Sequence, residues 1–210
     1  MPYGPFLLRL IPALVVGCAA VFLAAGASAA RVDQRLTGPG TACGGTLWRL
    51  MNLSDTDRMK VDLHPEDTTI AAIAALPDPR SIIPRRTTAF QRQVWRMRAV
   101  VDRYRIASNG EIILILYSID TGQFMDAYLP SKPCLVQRAR DRTGMLSARN
   151  AFTSRCPKAT AAWRLIGITI EVGGVGYWNP IRTTRGALQN GAELRPVTNL
   201  TIVSGGAECP

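Results

Sequence analysis

The sequence predicts a mainly β protein with inserted α-helix. The expected form is an OB-like five-stranded β-barrel (β-β-β-α-β-β) with a small N-terminal helical elaboration. Three observations predict it. Residues 94–101 alternate, with Val94, Arg96, Arg98 and Val100 on one phase and Trp95, Met97, Ala99 and Val101 on the other, which is the period-two pattern of a strand. Ser108-Asn109-Gly110 then joins two apolar runs, a strong hairpin signal because both central residues of such a turn need positive φ. A helical stretch at 145–156 separates three strands from two more. Partly open barrels of this order bind oligonucleotides and oligosaccharides. The order supplies a place for a ligand but does not name one.

The elements follow in chain order. Residues 1–29 read as a signal peptide: Arg9 is the only charge, 10–25 are apolar, and Ala27-Ser28-Ala29 is a small-residue cleavage site ahead of Arg31. A lipidated Cys18 would be followed by apolar residues where a polar tether belongs. An uncleaved anchor would be short and interrupted by Pro12 and Gly17. Residues 30–92 form the N-terminal elaboration and connector. Within them, 31–42 are a polar, mobile lead-in and 46–51 a strand. His64-Pro65-Glu66-Asp67-Thr68 is a helix start, with Asp67 or Thr68 as cap and Ile70, Ile73 and Ala74 as the apolar face. The proline- and arginine-rich run 77–92 is an extended connector. Residues 93–210 form the barrel domain. After the first strand come strands at 111–117 and 123–129, a break at Pro130 and Pro133, the helix, and strands at 163–172 and 194–203.

Charge and cysteine usage bound the function. The 210 residues carry 25 Lys and Arg against 15 Asp and Glu, a formal charge of +10. That surplus suits an acidic partner such as nucleic acid, an anionic glycan or a membrane surface. Nearly all of it is arginine, with only Lys60, Lys132 and Lys158 as lysines, so it equally suits arginine usage that merely solvates the surface. His64 is the single histidine and precedes a proline, a structural context that argues against a catalytic role and excludes metal sites built on histidine. Cys43, Cys134, Cys156 and Cys209 remain after signal removal. An even count in an exported chain reads as two disulfides, and sequence alone leaves all three pairings open.

Several constellations invite chemistry. Asp55, Asp57, Asp62 and Glu66 approach calcium-loop spacing, but Met59 and Lys60 stand where an oxygen ligand and a turn glycine belong. The acids therefore read as a solvated turn or cap. Gly173-Gly174-Val175-Gly176 follows a strand without opening a helix, so it reads as a barrel corner or bulge rather than a phosphate loop. Arginines and aromatics interleave through the barrel, including Tyr117, Phe124, Arg103 and Arg185, as in grooves that stack single-stranded polymers. Aromatics on alternating strands also build cores. The ligand-binding set is Arg96, Arg98, Tyr128, Tyr177, Trp178, Glu193 and Arg195, with no catalytic residue, no metal and no cofactor expected.

The residues Trp48-Arg49-Leu50-Met51-Asn52-Leu53-Ser54-Asp55, Leu129-Pro130 with Pro133-Cys134, Gly174-Val175-Gly176-Tyr177-Trp178 and Asn190-Gly191-Ala192-Glu193-Leu194-Arg195-Pro196-Val197 resemble a group of exported bacterial proteins of unknown function. The resemblance covers most of the mature chain. It implies an OB-like barrel with a polar site built on an Asp-x-His strand, an acid before Ile-Pro, and a Glu-Leu-His-Pro-Val strand. This chain has Glu111-Ile112-Ile113-Leu114, Tyr128 and Arg195 at those places, so a catalytic site would be largely lost. The resemblance also implies a Cys43–Cys134 disulfide. Cys156–Cys209 is then the remaining pair, and the rival is Cys134–Cys156 with Cys43–Cys209. The expectation is a secreted or cell-envelope binding protein without catalysis, contacting an anionic polymer. The alternatives are a thermonuclease-like phosphodiester hydrolase using Glu111, Asp126 and Glu193, and an envelope factor with a protein partner.

Overall fold

Alternation along residues 93–106 sets the two sides of the main sheet. In strand β2 (Gln93–Ile106), Met97, Ala99, Val101 and Tyr104 are buried in the core while Arg98 is exposed. The same alternation recurs in β3 (Ile112–Tyr117) and β4 (Phe124–Leu129), where Ile112, Leu114, Leu116, Met125, Ala127 and Leu129 join that core. β5 (Arg164–Trp178) and β6 (Ala192–Ser204) complete it with Ile168, Ile170, Val172, Leu194 and Val197. The computed structural model describes residues 43–156 and 159–204. The expected signal peptide, the 31–42 lead-in and Cys209 lie outside the described residues.

The architecture is mainly β with few helices. Six strands form one sheet whose hydrogen bonding closes on itself: β2 pairs β3, β3 pairs β4, β4 pairs β6, β6 pairs β5, and β5 returns to β2. All of these pairs are antiparallel except β4–β6, which meets in parallel at Ala127 and Leu194. β1 (Asp62–Asp67) adds in parallel to the start of β2. Helix α3 (Arg142–Thr153) lies between β4 and β5 and sends Ala148 and Phe152 into the core, where Phe152 meets the Tyr104 ring edge-on at 5.1 Å. It starts earlier than its apolar spacing suggests because Asp141 caps it, accepting from the Gly144 amide at 3.2 Å.

Several local expectations change. Residues 46–51 are not a strand: Trp48–Met51 form helix α1, and a helical turn brings Leu47 and Leu50 together onto Tyr177. The expected helix start at 64–68 is instead mostly β1, since its backbone finds partners along β2. Helix α2 (Ile70–Ala74) follows, capped by Thr69, whose hydroxyl accepts from the Ala72 amide at 3.1 Å. In the 107–111 turn only Gly110 has positive φ, +81°. The Gly110 and Ala107 amides donate to the Ala107 and Glu111 carbonyls, so a longer loop with one left-handed residue replaces the two-residue turn. β5 continues six residues past the expected end at 172. The glycine run lies inside it, and the β5–β6 register shifts on both sides of Gly174, as a bulge requires.

Of the four acids read as a solvated turn or cap, Asp62 and Glu66 are exposed but Asp55 and Asp57 are buried. Asp55 and Asp57 are 3% and 4% exposed. Asp55 pairs with buried Arg86 at 2.9 Å, and Arg86 also donates to the carbonyls of Leu50 and Gln91. Asp57 takes Arg85 at 2.6 Å, and that bond, with Lys60, holds its carboxyl well below the usual range. These pairs fasten α1 to the connector. Cys43 is bonded to Cys134 with Cα atoms 5.3 Å apart, which rules out the Cys134–Cys156 rival. Cys156 is itself disulfide-bonded.

Candidate functional site

Residues out of phase with the core occupy the outer face of β3, β4 and β6. Cross-strand register pairs Tyr117 with Phe124, Ile115 with Asp126, and Ile113 with Tyr128. Glu193 stands opposite Tyr177, and Glu193 and Arg195 fall on the phase opposite to Leu194. One column of side chains results. Tyr117 and Phe124, at one end, are half-buried, whereas Asp126, Tyr128, Tyr177, Glu193, Arg195 and Glu111 are buried.

Arg195 is the hub of the buried end. Its Nε donates to Glu111 Oε1 at 3.2 Å, and its Nη2 donates to Glu111 Oε2. Its Nη1 reaches Glu193 Oε1 at 3.4 Å. The guanidinium lies over the Tyr128 ring, 4.1 Å from its centroid, with Tyr177 at 5.8 Å. Asn109 Nδ2 donates to Glu111 at 2.6 Å and Asn179 Nδ2 to Glu193 at 3.0 Å. Burial disfavours the Arg195 cation, but Glu111 and Glu193 outweigh it and raise its pKa. Burial pushes the Glu193 carboxyl up to about 8 from an ordinary 4.5, against the pull of Arg195. Burial likewise lifts Asp126 to about 6, opposed by the Thr184 hydroxyl. The cluster thus places the Arg195–Glu111 pair beside a Glu193 carboxyl that burial favours in its protonated form.

The segment 179–191 covers this cluster. The Thr184 hydroxyl donates to Asp126 Oδ2, and Arg185 lies 4.9 Å from the Phe124 centroid. Arg182 donates to the Gln189 carbonyl and, at 3.0 Å, to Asp78. Asn190 fixes the far end of the segment: its Nδ2 donates to the carbonyls of Ile73, Ala74 and Leu76 at 2.8–3.3 Å, satisfying the C-terminus of α2. Asp126 Oδ1 and the Tyr177 hydroxyl are buried without a hydrogen-bond partner among the described residues.

The expected binding residues do not share one groove. Tyr128, Tyr177, Glu193 and Arg195 converge. Trp178 points the other way, into the core beside Phe90 at 4.7 Å, and its Nε1 donates to Thr88. Arg96 is held by Asp67 at 2.6 and 2.9 Å, and exposed Arg98 lies opposite Glu171 on β2–β5. Glu111 and Asp126, which sequence reasoning named only as scattered hydrolase carboxylates, belong to the cluster. Asn179, Thr184 and Asn190 were not singled out by chemistry. His64 is exposed, 3.0 Å from Asp62. Among the described residues no group of three or more His, Cys, Asp and Glu is placed to hold a metal, and no helix is long and apolar enough to cross a membrane.

No family model and no curated protein matches the chain. Among solved structures, asparaginyl-tRNA synthetase of Entamoeba histolytica is similar to 54% of this chain at 11% identity, with a TM-score of 0.35. The chain spans about a fifth of that protein's length, covering 21% of it, and a likeness this distant carries no functional argument.

Proposed function

We propose that the protein is an exported OB-like barrel of five strands, β2 to β6, that binds an anionic polymer on the outer β3–β4 face without catalysis. Export is supported by the apolar leader in the sequence and by a disulfide compatible with an oxidising compartment. The observation that carries the binding reading is the Tyr117–Phe124 ring pair, 5.0 Å apart, with the Arg185 guanidinium over Phe124. Half-buried aromatics beside a cation are what a stacked, charged chain uses. The buried end of the face is already neutralised, because Arg195 is committed to Glu111 and Glu193.

A second reading has its own observation. Glu111, Asp126 and Glu193 meet around one arginine, and Glu193 holds a proton near neutral pH, as a general acid for phosphodiester cleavage would. Two measurements separate the readings. Fluorescence anisotropy with labelled polyanions should give affinities that fall steeply between low and high salt. Incubation with single-stranded and duplex DNA, with and without Ca²⁺ or Mg²⁺, should give no cleavage products. Turnover abolished by Glu193→Gln would establish the hydrolase instead.

A further inference from the structure

Two strands kink opposite each other at the open end of the outer face. Asp102 is the extra residue where β2 shifts register against β3, between Val101 and Arg103, and the β2–β5 register shifts at the same place with the extra residue on β5. Facing it, β5 places Ile166 and Gly167 between the partners of those two residues, Ile168 and Leu165. Gly167 has φ +70°, and nothing lies within 4 Å of where a Cβ would stand. Bulges re-aim side chains and bend strands. Here they open a pocket of about 410 Å³ lined by Val100, Asp102, Tyr117, Leu165, Ile166 and Gly167, a size suited to one ring of a ligand.

The pocket's chemistry is mixed. Leu165 is 63% exposed and forms an apolar rim, and Tyr117 adds an aromatic side. The Asp102 carboxylate is 24% exposed, and both of its arginine contacts fall on Oδ2, Arg103 Nε at 2.7 Å and Arg185 Nε at 3.8 Å. Room remains for its other oxygen to accept from a ligand. An ionised carboxylate only accepts, so the ligand must donate there. A DNA phosphodiester backbone has no donor to offer there, whereas a sugar ring carries several hydroxyls. Arg185, whose side chain is 53% exposed, can meanwhile take an anionic group bidentately.

From this arrangement we infer that the pocket holds one sugar-acid residue of an acidic glycan. Its vicinal hydroxyls donate to Asp102, its C–H face lies on Tyr117 and Leu165, and its carboxylate meets Arg185. This names the polymer class for the binding face above and rests on that reading.

Calorimetric titration of the exported protein with a short oligogalacturonate, beside an oligothymidylate of similar charge, tests it. Oligogalacturonate should bind, and Asp102→Asn should weaken it by about tenfold, the loss of one charge-assisted hydrogen bond. Leu165→Gln, at an exposed position where folding is not at risk, should weaken it several-fold, while neither change weakens oligothymidylate. Unaltered oligogalacturonate affinity in both variants overturns the inference. Tight oligothymidylate binding with no oligogalacturonate binding overturns the glycan assignment and leaves the polymer-binding face standing. Binding of neither probe at low salt overturns both.

Discussion

Replacing Glu193 by glutamine should flatten the protein's stability against pH. In the folded state burial holds the Glu193 carboxyl up to about 8, whereas its ordinary value is 4.5. Between those values the folded chain binds a proton that the unfolded chain has released, so stability falls as pH rises. The contribution is complete below the unfolded value and is lost as pH climbs to the folded one. Each pH unit costs about 1.4 kcal/mol, which over the whole window comes to on the order of 5 kcal/mol. Asp126 adds a slope of the same sign, but only up to about pH 6. Above that, wild type should lose about 2 kcal/mol between pH 6 and pH 8 that the variant does not. Glutamine keeps the shape and one acceptor but cannot serve both Arg195 and Asn179 with carboxyl oxygens, costing about 1 kcal/mol at every pH. The two stability curves should therefore cross. Urea unfolding at matched ionic strength from pH 5 to pH 9 gives the curves. Parallel wild-type and Glu193→Gln curves above pH 6 would refute the assignment of a buried, protonated Glu193.

Arg195→Met should cost about 3–5 kcal/mol because it strands Glu111, 1% exposed, as an unpaired buried charge; adding Glu111→Gln should recover much of that loss in urea melts. Gly176→Ala should cost about 1–3 kcal/mol, since a Cβ there would run into the Phe90 backbone carbonyl; a thermal shift within error of wild type would contradict the close approach. Cys43→Ser opens a loop of 91 residues and should lower stability by about 4–5 kcal/mol in the chain-entropy view, read as the difference in urea midpoint. Asn190→Ala removes a donor shared by three carbonyls at the end of α2 and should cost about 1–3 kcal/mol, with faster amide exchange confined to that helix.

Much of the strand order was legible because burial writes itself into period two. Met97-Arg98-Ala99 and Met125-Asp126-Ala127-Tyr128 show their phases without any tertiary information. The same alternation hid the candidate site. Asp126 and Tyr128 sit on the phase that normally meets water, and nothing local reveals that segment 179–191 covers it. Asp55 and Asp57 were misread for a related reason, because their partners Arg86 and Arg85 lie about thirty residues away in a connector that was read only as extended. Charged residues far apart in the chain carry no sign of pairing until the fold brings them together. The N-terminal errors are different in kind: α1 has four residues and β1 pairs only with the beginning of β2, so each takes its form from what it packs against.

The ring of strands has a consequence for how the molecule comes into being. β2 is bonded along one edge by β5, and partners such as Met97 and Val172 lie roughly 75 residues apart in the chain, a separation whose loop-closure entropy slows folding. The β2–β3–β4 meander can form first from near neighbours, but until β5 arrives it presents a long unsatisfied edge on β2 and another on β4. Arg96, Arg98, Arg103 and Arg105 are distributed along that β2 edge. These four arginines outnumber the single Asp102 of the strand, and a net positive charge on a waiting strand disfavours pairing with a second copy. The arginine surplus thus acts in time as well as in space, as a guard on the unfinished sheet during the interval before the last two strands close it.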